Sequence, residues 1–206
     1  MATTLLIVRH AESDWNKEGR IQGDSDFSKL TKRGLRQAEM LRERLKGFKI
    51  NAVYSSPLSR TVETAKIIAP RLRIRTEKGL KERHFGRLEG RFMKDVEKED
   101  KEAVEYFRKT RNFPYRDVET VEEMGERGLK ALKKIAKANE GKTVLIVSHG
   151  GIIKAILRKI MSSPKPHAKR MEQANCSLNI ISYGRGRFSV KALNETRHLG
   201  NLITAV

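Results

Sequence analysis

Residues 3–12 read TTLLIVRHAE. Leu5, Leu6, Ile7 and Val8 form an unbroken apolar run with β-branched members. That pattern predicts a strand buried on both faces, as in a parallel sheet. Open α/β sheets bind ligands beyond the carboxyl ends of such strands. Here the first groups beyond the run are the guanidinium of Arg9 and the imidazole of His10, which suit an anionic substrate and a nitrogen nucleophile.

A second run of the same kind, TVLIVS at 143–148, ends in His149-Gly150-Gly151. Shorter strands are predicted at 51–55 and 73–77, and a hairpin at 177–183 and 187–193 around Gly184-Arg185-Gly186. Helical spacing marks 31–46, with Leu35, Ala38, Leu41 and Leu45 on one face. Ser56 is expected to cap the next helix with Pro57 in its first position. A capping box, Thr120 with Glu123, opens a helix running to about Asn139, and 152–161 forms another. Residues 92–110 read as one highly charged helix. The expected architecture is a three-layer α/β/α sandwich with a mainly parallel central sheet, a C-terminal hairpin and a small inserted helical cap. Residues 1–206 are expected to form a single domain, with the cap at about 91–117.

The chain has 206 residues and a formal net charge of +19, from 44 Lys and Arg against 25 Asp and Glu. Such a balance favours anionic or phosphorylated partners. The lone cysteine, Cys176, excludes an internal disulfide and any Cys-pair metal site, and fits a reducing, cytoplasmic setting. No apolar run approaches the length of a membrane span, so no membrane partner is expected. His84, His167 and His198 lack metal-ligand spacing, and surface or packing roles are expected for them.

Three strand ends carry the chemistry. Arg9-His10 follows the first, Arg60 lies in the first turn of the helix after the second, and His149-Gly150 follows the later buried strand. Helix N-termini and guanidinium groups hold phosphate, and an imidazole nitrogen among them can attack phosphorus. Phosphate-monoester hydrolysis needs an acceleration of up to about 10²¹-fold, roughly 28 kcal/mol. One placed donor gives about 3–4 kcal/mol, so several groups must converge. Glu82 is the candidate general acid, because a bound phosphate nearby would favour its protonated form.

These residues carry a family resemblance. RHAES with DWN, IQG, SSPLSRTVETA, the Glu of LKERHFGRLEG and VSHGG occur in the order seen in the histidine phosphatase (phosphoglycerate mutase-like) superfamily. The chain resembles that family over roughly residues 3–195. The resemblance implies His10 as the phosphorylated nucleophile, Arg9, Arg60 and His149 as the phosphate pocket, Asn16 as a further contact, and Glu82 as proton donor. Gln22 and Gly23 of IQG and Gly150 of VSHGG complete the candidate contacts. It implies no metal and no cofactor. Ala11 stands where the family most often has Gly. Arg108, Arg111 and Arg116 are dispersed and do not reproduce the paired arginines of the mutase branch, so the chain looks more like the phosphatase branch.

The expected function is therefore a cofactor-independent phosphatase acting on a small phosphomonoester. A phosphoglycerate mutase with a bisphosphoglycerate primer is the enzymatic alternative, and a polyanion- or RNA-binding protein is the non-enzymatic one. Nucleic acid is an allowed but disfavoured partner, and a homodimer is left open. The charged 92–111 helix reads most simply as a solvated cap surface; the sharper alternative is that some of the cations Lys94, Arg108, Arg111 and Arg116 recognise substrate.

Overall fold

The computed structural model describes residues 1–162 and 171–204. His167 lies outside them. Strand β1 (Thr3–Arg9) sits at the centre of a six-stranded sheet, with β2 (Ala52–Ser55), β3 (Ile74–Thr76), β4 (Thr143–Ser148), β5 (Leu178–Gly184) and β6 (Arg187–Glu195). The order is β3-β2-β4-β1-β5-β6. The first four strands run parallel, and β5 and β6 are antiparallel. This is the sandwich expected from the sequence.

Alternation along β1 explains why its run is apolar throughout. Leu5 and Ile7 pack with Val144 and Ile146 under helices α6 (Val121–Ala138) and α7 (Gly150–Ile160). Leu6 and Val8 pack with Leu145 and Val147 under α2 (Lys32–Leu45) and α3 (Ser59–Ile68). Each of these side chains is at most 2% exposed, and each such burial stabilises the fold by about 1.5–3 kcal/mol.

The chain leaves β1 towards the α2 face and leaves the adjacent β4 towards the α7 face. Neighbouring parallel strands whose connections diverge open a crevice at their carboxyl ends. Arg9 is in register with Ser148 there, and the His10 N–H donates to the Ser148 carbonyl at 2.9 Å.

Several local expectations are corrected. A short helix, α1 (Asp14–Glu18), occupies the loop after β1, capped by Ser13. Leu35 is 36% exposed, and Gly34 and Gln37 share the inner face of α2 instead. Helix α3 begins at Ser59 with Leu58 in the cap position, so Ser56 does not cap it. The charged stretch forms two helices, α4 (Met93–Glu99) and α5 (Lys101–Thr110). Asp100 divides them by accepting the Ala103 N–H at 2.9 Å. This region has a core of its own, with Val96, Ala103, Val104, Phe113 and Val118 buried beside Leu88. Among the described residues no helix is long and apolar enough to cross a membrane.

Candidate active site

Beyond the crevice lies a cavity of about 460 Å³. Arg9, His10, Asn16, Gln22, Gly23, Arg60, Glu82 and Gly150 all line it. His149 does not. It is fully buried behind His10, with the two ring centroids 5.3 Å apart.

The hydrogen bonds of His10 determine its tautomer. Nδ1 lies 2.8 Å from the Ala11 carbonyl oxygen. A carbonyl only accepts, so Nδ1 carries the proton and Nε2 keeps a lone pair. Burial, followed by the Arg60 and Arg9 guanidinium groups, pushes the His10 pKa well below its ordinary value. The ring is therefore neutral. His149 Nε2 lies 2.9 Å from Ser56 Oγ, while its Nδ1 is buried without a partner. Burial and the neighbouring cations lower its pKa too.

The arginines are held by the backbone. Arg60 is 1% exposed and donates from Nη2 to the Gly23 carbonyl and from Nη1 to the Ser25 carbonyl, both at 2.7 Å. Arg9 donates from Nη1 to the Gln173 carbonyl at 2.6 Å. Burial brings its pKa down to about 10, against the opposing pull of Glu82. The Nε atoms of Arg9 and Arg60 are both buried without partners. Carbonyl partners leave each guanidinium its full charge, which a carboxylate partner would offset.

Asn16 Oδ1 accepts from the Ser13 N–H, the Ser13 hydroxyl and Asn175 Nδ2 at 3.1–3.2 Å, which leaves its own Nδ2 donors unoccupied. Gly23 has φ +55°, and a Cβ there would come within 2.2 Å of Glu89 Oε1. Left-handed backbone and close approach both require glycine.

The Glu82 carboxylate rests on the first turn of α7. Oε2 accepts the Gly151 N–H at 2.8 Å, and Oε1 accepts the N–H groups of Ile152 and Arg83 at 3.0 and 2.9 Å. It forms no ion pair with Lys81 or Arg83. Lys81 pairs with Asp24, and the Arg83 side chain donates to the carbonyls of Arg111 and Glu119 and to Asn112 Oδ1.

The histidine phosphatase superfamily (branch 1) profile matches residues 5–196, nearly the whole chain. The chain belongs to this superfamily. It is 33% identical over 207 residues to phosphoglycerate mutase-like protein 4 of Arabidopsis thaliana, covering 95% of this chain and 86% of that relative. It is 32% identical over 210 residues to a metal-independent phosphoserine phosphatase of the same plant, covering 97% and 84%. The solved structure of Bacillus stearothermophilus YhfR superposes with a TM-score of 0.90 at 31% identity, covering 96% of this chain and 99% of that one. The protein is a hydrolase of the histidine phosphatase type.

Some parts of this histidine phosphatase site carry no strong sequence signal. Arg127 of α6 donates to the Gly79, Lys81 and Glu82 carbonyls and pairs with Glu119 through two bonds, fixing the segment that bears Glu82. Asn175 Nδ2 donates to the His10 carbonyl at 2.9 Å. Lys154, one helical turn beyond Gly150, also lines the cavity.

Of Lys94, Arg108, Arg111 and Arg116, Arg111 alone lines the cavity. Arg108 pairs with Glu97, Lys94 sits over the Phe92 ring, and Arg116 is exposed. His84 makes an ion-pair contact with Asp24 at 2.9 Å, close to Glu89. These three side chains are near enough together to surround a cation. Their acceptor atoms, however, already serve Lys81, His84 and the N–H groups of Asp24 and Phe85, so ion pairing accounts for the cluster.

Proposed function

We propose that this histidine phosphatase hydrolyses a small phosphomonoester through a phosphohistidine on His10. The observation that carries the reading is the Nδ1–H bond from His10 to the Ala11 carbonyl, which leaves a neutral Nε2 lone pair at a cavity walled by Arg9 and Arg60. Nε2 attacks phosphorus, the P–O bond to the alcohol breaks, and Glu82 gives a proton to the departing oxygen. Water then attacks phosphorus, the P–N bond breaks, Glu82 regains a proton, and inorganic phosphate leaves. Arg9, Arg60 and Asn16 hold the charge that grows on the phosphoryl oxygens, and His149 backs the His10 ring from behind the cavity wall. Gln22, Gly23 and Gly150 shape the wall around it.

The site calls on no metal or cofactor for these steps. That reading agrees with the name of the metal-independent plant relative. Residues 91–117 act as a cap whose inner side chains select the alcohol portion. We assign the enzyme to the cytoplasm, where a lone buried thiol stays reduced.

The test is rapid quench with a radiolabelled ester. Acid-labile label is expected on the wild-type chain and none on His10→Ala, with turnover lost in parallel. Full activity in His10→Ala would refute the reading. A parallel assay of 2- and 3-phosphoglycerate interconversion separates hydrolysis from mutase activity. Faster interconversion than phosphate release would reassign the enzyme as a mutase.

A further inference from the structure

Arg9 is held by fewer bonds than Arg60. Two carbonyls grip Arg60, whereas among the described residues the Arg9 side chain makes a single hydrogen bond, from Nη1 to the Gln173 carbonyl at 2.6 Å. Its Nε is buried without a partner and packs against Gly150, where an added Cβ would lie 3.2 Å away. The direction of this guanidinium therefore depends on where residue 173 is held. Gln173 lies 164 residues further along the chain, so nothing local to β1 supplies that placement.

A set of linked amides supplies it. The Gln173 side chain pairs with that of Asn179 on β5. Gln173 Nε2 donates to Asn179 Oδ1 at 3.2 Å, and Asn179 Nδ2 donates back to Gln173 Oε1 at 2.8 Å. Asn179 faces Ile7 across the β1–β5 pairing and also donates from Nδ2 to the Ile7 carbonyl, at 3.2 Å. Its Oδ1 accepts the Asn194 N–H at 2.9 Å. Asn194 lies on β6 where the β5–β6 register slips between Leu178 and Ile180, and its backbone is left-handed at φ +46°. Asn194 Oδ1 accepts the Ala174 N–H at 2.9 Å. Gln173 is 5% exposed and Asn179 fully buried. Leucine or methionine would fill such space with no amide to satisfy, so packing alone does not call for this set.

The Gln173 carbonyl and the Ala174 N–H belong to one peptide unit. Arg9 donates to its oxygen, and Asn194 accepts from its nitrogen. The unit is planar, so the two bonds turn together. We propose that Asn194 and Asn179 are positioning residues for Arg9, acting through the 173–174 peptide. Neither lines the active-site cavity. Asn194 sets the tilt of the peptide, and Asn179 sets its depth by seating the Gln173 side chain. An irregularity in the antiparallel half of the sheet thereby aims a guanidinium that the parallel half carries. The proposal rests on the phosphomonoester reading above in taking Arg9 as a phosphate ligand.

The test is calorimetric titration with inorganic phosphate, which reads the pocket without turnover. Arg9→Ala is expected to weaken phosphate roughly ten- to a hundredfold. Asn194→Gly removes the acceptor for the Ala174 N–H while glycine keeps the left-handed backbone, so the fold is retained. It should weaken phosphate about three- to thirtyfold. Asn194→Asp, which keeps the acceptor oxygen, should retain most of the affinity. Asn179→Ser opens the amide pair and should act like Asn194→Gly. Added to Arg9→Ala, neither Asn194→Gly nor Asn179→Ser should weaken phosphate further, because the group they position is gone. A residue needed only for folding would cost the same in both backgrounds. Unchanged affinity in Asn194→Gly, or equal losses with and without Arg9, would overturn the positioning role. Unchanged affinity in Arg9→Ala would remove Arg9 from the phosphate pocket and the proposal with it. The expected pattern in a chain that forms no phosphohistidine would keep the positioning role and remove the hydrolytic reading.

Discussion

His10 and His149 meet edge to face, with ring centroids 5.3 Å apart and planes inclined at 61°. Two imidazoles so close, both buried near Arg9 and Arg60, cannot easily become charged together. Both pKa values lie well below the ordinary 6.5.

That pair sets the pH dependence of stability. Below about pH 6.5 the unfolded chain protonates these histidines and the folded chain does not, so stability falls as pH falls. The slope is up to about 1.4 kcal/mol per pH unit for each ring until its folded pKa is reached. His198, also lowered, adds in the same direction, whereas His84 is raised by Asp24 and opposes it. Urea unfolding at pH 7.5 and 5.5 should show a clear loss for wild type and a smaller one for His149→Gln. Equal losses would contradict the assignment.

Gly151 leaves no room for a side chain. A Cβ there would lie 2.5 Å from Glu82 Oε1. Gly151→Ala should push the carboxylate aside, and a displacement of this order costs about 10²-fold in rate. The loss should be large for alkyl phosphates and small for p-nitrophenyl phosphate, whose leaving group needs no proton. Glu82→Gln should show the same asymmetry. Equal losses on both esters would count against Glu82 as the acid.

Arg60 links phosphate binding to the 23–25 loop through two carbonyls. Arg60→Ala should lower kcat/KM by about 10²–10³-fold. Arg60→Lys should recover little, since an ammonium cannot reproduce the fork across the Gly23 and Ser25 carbonyls. Steady-state kinetics on both variants checks this, and near-complete rescue by lysine would refute the fork.

Arg111 ends α5 in left-handed backbone, at φ +66°, a conformational cost that glycine would remove. Arg111→Gly should raise unfolding free energy by about 1 kcal/mol, because the carbonyl held by Arg83 remains. Urea titration reads the change directly. A loss of stability would show that the left-handed backbone is not strained.

Much of this was legible in the sequence, because burial on both faces of β1 and β4 needs a continuous apolar run, and those runs end at His10 and His149. Local chemistry was less readable. Ser56 before Pro57 has the form of a helix cap, but its hydroxyl lies against His149, 93 residues away. Asp100 hides its capping role within a run of charges, so two helices read as one. Arg127 and Asn175 bind backbone carbonyls of distant segments, Gln173 offers its own carbonyl to Arg9, and no periodic pattern announces such contacts. Lys154 was hidden for another reason. It sits on a helix whose apolar spacing explains its neighbours and leaves one cation looking like an ordinary surface residue.

The central position of β1 also governs how the protein is made. Its two neighbours, β4 and β5, are encoded about 140 and 175 residues later. During vectorial synthesis the strand that emerges first finds its partners last. Until Ser148 has left the ribosome, Leu5 to Val8 lie uncovered and prone to stick to other chains. The carbonyl of Gln173 and the amide of Asn175 reach Arg9 and His10 later still. An unfinished chain therefore lacks an assembled phosphate pocket, and cannot attack the cell's phosphoesters before synthesis is nearly complete.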